Sequence, residues 1–399
     1  MTKPLAGLKV IELGQLIAGP FAGKCFAEFG AEVIKVEPPE GDPLRQWRKV
    51  HQGTSLWWYV QNRNKKSVTV DLRLPEGQEV ARRILRDADV VIENFRPGTL
   101  EKWGLGYERL AAENPGLVML RLSGFGQTGP YRDQAGFGAI GESMGGLRYV
   151  TGFPDRPPVR PNLSIGDALA SLHGVIGVLM ALHHRDANGG RNSGKGQVVD
   201  VALYEAVFNM MEGALPEYDL FKEVRERTGS NLTGIVPSNT YLTRDGQHVV
   251  IGANADSIFK RLMKVIGRAD LADDPSLADN AGRAKRGDEL DRVIGEWTAK
   301  RDAGEAVKIL NEAQVPNGKI YSMADIARDA QYLARDMIRE VRLKDGTPLK
   351  VPGIVPKLSA TPGEIEWIGP ELGEHTAAVL AAHGYSGTQI AGLKERGAI

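Results

Sequence analysis

The chain has 399 residues, 42% hydrophobic and 25% charged, the composition of a soluble globular protein too long for a single core. Its 50 basic and 50 acidic side chains cancel, so it lacks the global charge footprint of a nucleic-acid or anionic-membrane binder. One cysteine, Cys25, excludes an intramolecular disulfide and a cysteine-rich zinc site, and fits the reducing cytoplasm. The sequence opens without a basic-then-apolar leader and contains no uninterrupted apolar run of bilayer length, so neither secretion nor membrane insertion is expected.

In chain order, Leu8 to Leu13 reads as a strand ending at Gly14, Pro20 to Phe29 as a helix and Glu32 to Val36 as a second strand. Ser67 to Leu72 follows as a strand, Glu76 to Asp87 as a helix and Asp89 to Phe95 as a strand. Tyr107 to Glu113 is helical in spacing, and Leu117 to Leu122 extended. Strands interleaved with helices predict an α/β fold: a large, doubly wound, mostly parallel sheet covered on both faces. Such sheets bind ligands beyond the carboxyl ends of their strands, which directs attention to Gly14–Pro20, Val36–Arg48, Asn94–Thr99 and the glycine-rich stretch Ser123–Gly146.

The spacing then predicts a long helix over Ala168–His184, a strand at Gln197–Val201, an apolar helix over Leu203–Leu215 and a charged linker from Glu217. A hairpin around Arg244-Asp245-Gly246, helices near Ile258–Ile266, Glu289–Thr298 and Ala303–Ala313, and a hairpin around Lys344-Asp345-Gly346-Thr347 complete the pattern. The change of texture divides the chain into a large α/β domain (1–200, completed by 350–399), a linker helix region (201–229), a small α+β domain (230–325) and a return linker (326–349).

Neither common phosphate loop is present. Gly14 and Gly19 do not form the dinucleotide fingerprint, and Gly23-Lys24-Cys25 lacks the upstream glycine and terminal hydroxyl of a P-loop. Ser123-Gly124-Phe125-Gly126 is not a serine-hydrolase elbow. Lys65, Lys66, Arg73 and Lys102 suit phosphates or solvated positions equally well. Trp57, Trp58 and Tyr59 suit a gate or, more simply, packing, and His173, His183 and His184 have no metal-ligand spacing. Asp167 stands where the long apolar helix begins. As an N-cap it needs no function. As a nucleophile it would need placement beside an electrophile and protection from water, which a glycine-rich wall can provide. The residues alone leave both readings open.

The ordered set Ala18-Gly19-Pro20, Gly30 to Glu37, Asn64-Lys65-Lys66-Ser67 with Asp71-Leu72, and Glu93 to Gly98 continues in Ser123 to Gly126, Gly166-Asp167, Leu372 to Thr376 and Gly384-Tyr385-Ser386. With these the chain resembles the class III coenzyme A transferases (CaiB/BaiF type), a family that includes formyl-CoA and succinyl-CoA:dicarboxylate transferases. The resemblance implies that Asp167 is the acyl-accepting nucleophile. It implies a CoA site at Ile17, Ala18, Val70, Asp71, Leu72, Arg73, Asn94, Phe95, Arg96, Lys102, Ala135, Gly136, Phe137 and Gly138. Further implications are acyl-CoA and a small carboxylic acid as substrates, no metal or permanently bound cofactor, and an interlocked homodimer.

Pro38, where formyl-CoA transferases carry arginine, and a Gly229–Pro237 segment with only Gly229 and Gly234 argue against formyl-CoA and oxalate. The Pro157–Pro161 stretch is closer to enzymes that use succinyl-CoA and a dicarboxylate; Arg148 and Arg160 suit a distal carboxylate or a surface position equally well. An α-methylacyl-CoA racemase is the alternative within the family. It would need a histidine near Ala135-Gly136-Phe137-Gly138, where none stands. A noncatalytic CoA-binding protein is the alternative outside enzymes.

Overall fold

Six strands form one parallel sheet: β1 (Lys9–Glu12), β2 (Glu32–Glu37), β3 (Lys65–Thr69), β4 (Val90–Glu93), β5 (Val118–Ser123) and β6 (Val198–Ala202). Their spatial order is β3-β2-β1-β4-β5-β6, every neighbouring pair parallel. This is a doubly wound arrangement whose strand order reverses between β1 and β4, where such sheets open a ligand crevice. Two-residue periodicity explains the two covered faces. Ile11, Ile34, Val36, Val68, Val91 and Met119 pack on one side, against α2 (Pro75–Leu85) and α4 (Tyr107–Glu113). Val10, Val33, Ile92, Val118 and Leu120 pack on the other, against α1 (Ala18–Glu28) and a long helix, α6 (Ile165–Ala187). Two short helices, α3 (Thr99–Lys102) and α5 (Gly138–Met144), lie in connections at the carboxyl ends.

This computed structural model describes residues 3–399 and divides into two units. The sheet belongs to residues 1–147, 161–212 and 336–399; the smaller unit comprises residues 148–160 and 213–335. The smaller unit has a three-stranded antiparallel sheet, β7 (Ser238–Leu242), β8 (His248–Gly252) and β9 (Asn317–Lys319), ordered β9-β8-β7. Its core joins Tyr241, Val249 and Ile251 to Phe259, Leu262 and Trp297 from helices α8 (Asp256–Val265) and α9 (Gly287–Thr298). In the large unit the second expected hairpin forms from β10 (Ile338–Arg342) and β11 (Pro348–Pro352).

Three expectations change. The strand expected at Ser67–Leu72 is β3, which starts two residues earlier and ends at Thr69: Val70 N–H makes the last ladder bond, to Glu37 O, and Asp71 N–H turns away to Ala398 O. The apolar run Leu203–Leu215 is two helices rather than one, α7 (Leu203–Phe208) and Ala214–Phe221, separated around Glu212, whose φ is 51°. Finally, α6 is long and apolar enough to cross a membrane by length and composition. Ser171 and His173 interrupt the strict run, which is why a search for unbroken apolar residues overlooks it, and Ala170, Gly174, Val178 and Ala181 bury one face of it against the sheet.

The C-terminal segment closes the edge of the sheet. Asn64, at φ 59°, accepts from the N–H groups of Glu366 and Trp367 and donates to Glu364 O. Arg63 is buried, pairs with Glu28 at 2.6 Å and donates to Pro352 O. Gly373 N–H and His375 N–H donate to Ser67 Oγ and Ser67 O, and Thr69 N–H donates to Thr376 Oγ1. The motifs around Asn64 and Leu372 are therefore two halves of one fastening that covers an exposed strand edge. Substituting Arg63→Met leaves the Glu28 carboxylate buried without its partner, so we expect a loss of about 3–5 kcal/mol in urea unfolding. Faster hydrogen exchange over residues 352–367 should accompany it; unchanged exchange there would refute the fastening role.

Candidate active site

At the strand-order reversal, Leu13, Gln15, Val36, Glu37, Val70, Leu72 and Phe95 line a crevice of about 280 Å³. Asp71 and Arg73 complete its rim. Of the residues expected at a CoA site, five therefore meet here: Val70, Asp71, Leu72, Arg73 and Phe95. Arg73 is exposed and forked onto Asp71, with Nε and Nη2 each 2.8 Å from a carboxylate oxygen. Those hydrogen bonds raise the guanidinium pKa and hold the Asp71 carboxyl below its usual range. Arg96 and Lys102 are exposed next to the same ends of the sheet.

Other expected residues act through the backbone. Asn94 accepts from Gln15 N–H at 2.8 Å and donates to Gln15 O at 2.9 Å. The side chains of Ile17 and Ala18 are turned into the core, 6% and 4% exposed. Lys65, read as a phosphate group or a solvated position, is neither: it is fully buried, 2.7 Å from Glu12 Oε2 and donating to Pro20 O. Burial pushes its pKa down to about 8, against the opposing pull of Glu12. Trp58 is buried packing, its indole N–H on Pro370 O and Arg45 stacked 3.6 Å from the ring centroid.

Asp167 is not the N-cap. Ser164 occupies that position, without a side-chain capping bond, and Asp167 stands two residues inside α6, in its first turn. The helix dipole favours an anion there by about 0.3–1 kcal/mol. The half-buried carboxylate lies against the first residue of α5: a Cβ built on Gly138 would stand 2.0 Å from Asp167 Oδ2. A Cβ on Gly166 would stand 2.8 Å from Gly138 O, and one on Gly124 would stand 2.8 Å from Gly136 Cα. Three backbones thus meet without side chains between them, and Ala135 and Phe137 alternate outward, exposed. The Ser171 hydroxyl, buried, lies 2.7 Å from both Asp167 O and Ala18 O, tying the turn that carries Asp167 to α1.

Several contributors escaped the sequence reading. Glu12, Lys35 and Glu37 sit inside strands that are otherwise apolar, and a charge there signals a buried partner. Glu142 is buried behind Asp167, with Gly166 N–H donating to it at 3.5 Å. On the opposite face, Glu93 and Arg121 are register partners bonded at 2.7 Å, and Arg121 continues to Glu101 of α3. His173 is occupied by Leu169 O and Asn209. Among the described residues no group of three or more His, Cys, Asp and Glu could hold a metal ion. Burial pushes the Cys25 thiol up to about 11.

Comparison with known proteins fits this geometry. The model for "CoA-transferase family III" matches residues 5–376. The chain belongs to this family and is a CoA-transferase. Its relatives include the succinyl-CoA–D-citramalate CoA-transferase of Chloroflexus aurantiacus, 51% identical over 395 residues, covering 98% of this chain and 95% of the relative. Another is the succinate–glutarate CoA-transferase of Agrobacterium fabrum, 36% identical, covering 95% of each chain. A CAIB/BAIF family protein from Brucella suis has the same fold, with a TM-score of 0.83 at 34% identity over 96% of this chain and 100% of that one.

Glu93 of this CoA-transferase gives a pH test. Burial pushes its carboxyl up to about 7 from 4.5, against the opposing pull of Arg121. A raised folded-state value means that the unfolded chain releases the proton first, so Glu93's contribution is full below pH 4.5 and disappears as the pH rises through 7. We expect the melting-temperature difference, wild type minus Glu93→Gln, to fall across that interval. A difference that is flat or rises with pH would contradict it.

Proposed function

We propose that the enzyme moves CoA from succinyl-CoA to a dicarboxylate acceptor, with Asp167 as the covalent relay. The observation that carries this reading is the Asp167 carboxylate seated against side-chain-free backbone in the first turn of α6, a turn tied to α1 through Ser171. The names of the relatives, which pair succinyl-CoA or succinate with citramalate or glutarate, supply the substrate class.

In the proposed cycle, an Asp167 oxygen attacks the succinyl thioester carbonyl, giving a mixed anhydride and free CoA thiolate. The thiolate attacks the aspartyl carbonyl of the anhydride, releasing succinate and leaving an aspartyl-CoA thioester. The acceptor carboxylate displaces the thiolate to form a second anhydride, and the thiolate then attacks the acceptor's acyl carbon, restoring Asp167. Each step exchanges one activated acyl bond for another, so the enzyme itself needs no redox change and no net hydrolysis. Water is the competitor at both anhydrides, and the packed glycine backbones around residue 138 limit its access. The CoA moiety is assigned to the crevice lined by Val70–Arg73 and Phe95, with Arg96 and Lys102 available to its phosphates. No observation favours a racemase, since Phe137 stands where its histidine belongs and His173 is committed elsewhere.

We assign a homodimer as the working assembly. Leu172, Ile176, Leu179 and Met180 of α6 are 41–66% exposed, an apolar face that a lone chain leaves uncovered. Light scattering should return twice the 43.3 kDa chain mass; a monomer would overturn this assignment.

For the reaction, purified enzyme incubated with succinyl-CoA and D-citramalate, glutarate, malate or oxalate should form new dicarboxyl-CoA thioesters by mass, with oxalate the poorest acceptor. Asp167→Asn should lower turnover by a factor of about 10⁴ or more, as loss of a covalent nucleophile does. An Asn variant with unchanged turnover would remove the relay from the scheme.

A further inference from the structure

Between β1 and α1 the backbone is held largely by side chains: apart from the helical bond from Phe21 N–H to Ile17 O, its partners are Lys35, Asn94, Asp42 and Gln61. Gly14 O accepts from Lys35 Nζ at 2.7 Å. Gln15 N–H and O are both bonded to Asn94. Leu16 N–H donates to the two oxygens of Asp42, each at 3.1 Å, and Ile17 O accepts from Gln61 Nε2 at 3.1 Å. Within this clamp Leu16 adopts φ 63°, left-handed backbone that disfavours a leucine. Such a conformation persists where the surroundings over-determine it, and it concentrates at functional sites.

Asn94 and Gln61 are neutral, but the other two grips are a single ion pair. Lys35 Nζ lies 2.9 Å from Asp42 Oδ2 and 3.0 Å from Glu12 Oε1, and both side chains of the Lys35–Asp42 pair are out of solvent. Asp42 in turn accepts from Leu44 N–H, and its own N–H donates to Glu37 Oε2. The pair is charged in the folded protein: burial opposes both ions, yet Asp42, Glu12 and Glu37 raise Lys35, while Lys35 and the Leu44 and Leu16 N–H groups hold Asp42 below its usual range. One end of the held turn lines the crevice through Gln15. The turn runs directly into Ala18 of α1, whose O shares the Ser171 hydroxyl with Asp167 O.

We infer that Lys35 and Asp42 are positioning residues for the transfer reaction, a buried ion pair that sets the Gly14–Ile17 turn so that a thioester held in the crevice is presented to Asp167. This rests on the Asp167 reading above. Its requirement is geometric. The pair touches no substrate, and it acts by keeping a strained turn in a single conformation between the two halves of the site.

The test uses the full-length enzyme and two variants. Asp42→Asn keeps the size of the side chain and an acceptor for the Leu16 and Leu44 N–H groups but removes the charge facing Lys35. The double variant Lys35→Met/Asp42→Asn removes both charges, so neither of this pair is left as an unpaired ion. For folded protein, checked by circular dichroism, we expect kcat to fall about tenfold or more while KM for succinyl-CoA moves about threefold at most, the signature of misplaced reacting groups. A residue that only supports stability would lower the melting temperature and leave both constants per folded molecule unchanged; that result overturns the inference. Failure of both variants to fold also overturns it, because the pair would then support the whole sheet and not the turn. Asp167→Asn run in parallel separates the two claims. Undiminished Asp167→Asn turnover sinks the reaction scheme, whereas a dead Asp167→Asn beside a fully active Asp42→Asn sinks the positioning role alone.

Discussion

Asp167 stands where it does because residue 138 has no side chain. A single methyl group there would stand 2.0 Å from the Asp167 carboxylate oxygen, far inside van der Waals contact, and the same exclusion recurs between Gly166 and Gly138 O and between Gly124 and Gly136. The glycines of this wall therefore serve contact more than flexibility. They bring three backbones together at one carboxylate, in a first helical turn whose dipole suits a negative charge. For the nucleophile proposed above, position matters more than ionisation, and this close packing fixes the position.

The parallel sheet delivers the other half of the site. Its faces are apolar in the middle and charged toward the carboxyl ends, with Glu12, Lys35 and Glu37 on one face and Glu93 and Arg121 on the other. These buried ions are poor sources of net stability, since desolvation offsets much of their attraction. Three of them bond loop backbone: Lys35 on Gly14 O, Glu93 on Phe95 N–H, Glu37 on Asp42 N–H. The charges set loop geometry around the crevice to which the proposed cycle assigns the CoA moiety.

The alternation of strand and helix was readable from period alone because each strand carries apolar residues for both faces, and Tyr107–Glu113 matches its expected bounds. Boundaries moved where tertiary bonds took over. Asp71 and Leu72 look like strand, but the chain turns away after Val70 and Asp71 meets Ala398; Asp167 looks like a cap although the helix starts at Ile165. The strand order, the crevice at its reversal and the use of Asn64 and Leu372–Thr376 as a fastening depend on residues some 300 positions apart, which no local pattern encodes. Lys35 carried a visible signal, a lysine between Ile34 and Val36 in a strand buried on both faces. Its partner Asp42 carried none, since an aspartate before Pro43 suits any loop.

The central claim is that the acyl group passes through a bond to one side chain. Enzyme mixed with succinyl-CoA, quenched with hydroxylamine and digested, should yield a hydroxamate on the peptide containing Asp167, and only when the acyl-CoA is present. Rapid turnover of succinyl-CoA and a dicarboxylate with that peptide left unmodified would contradict the account.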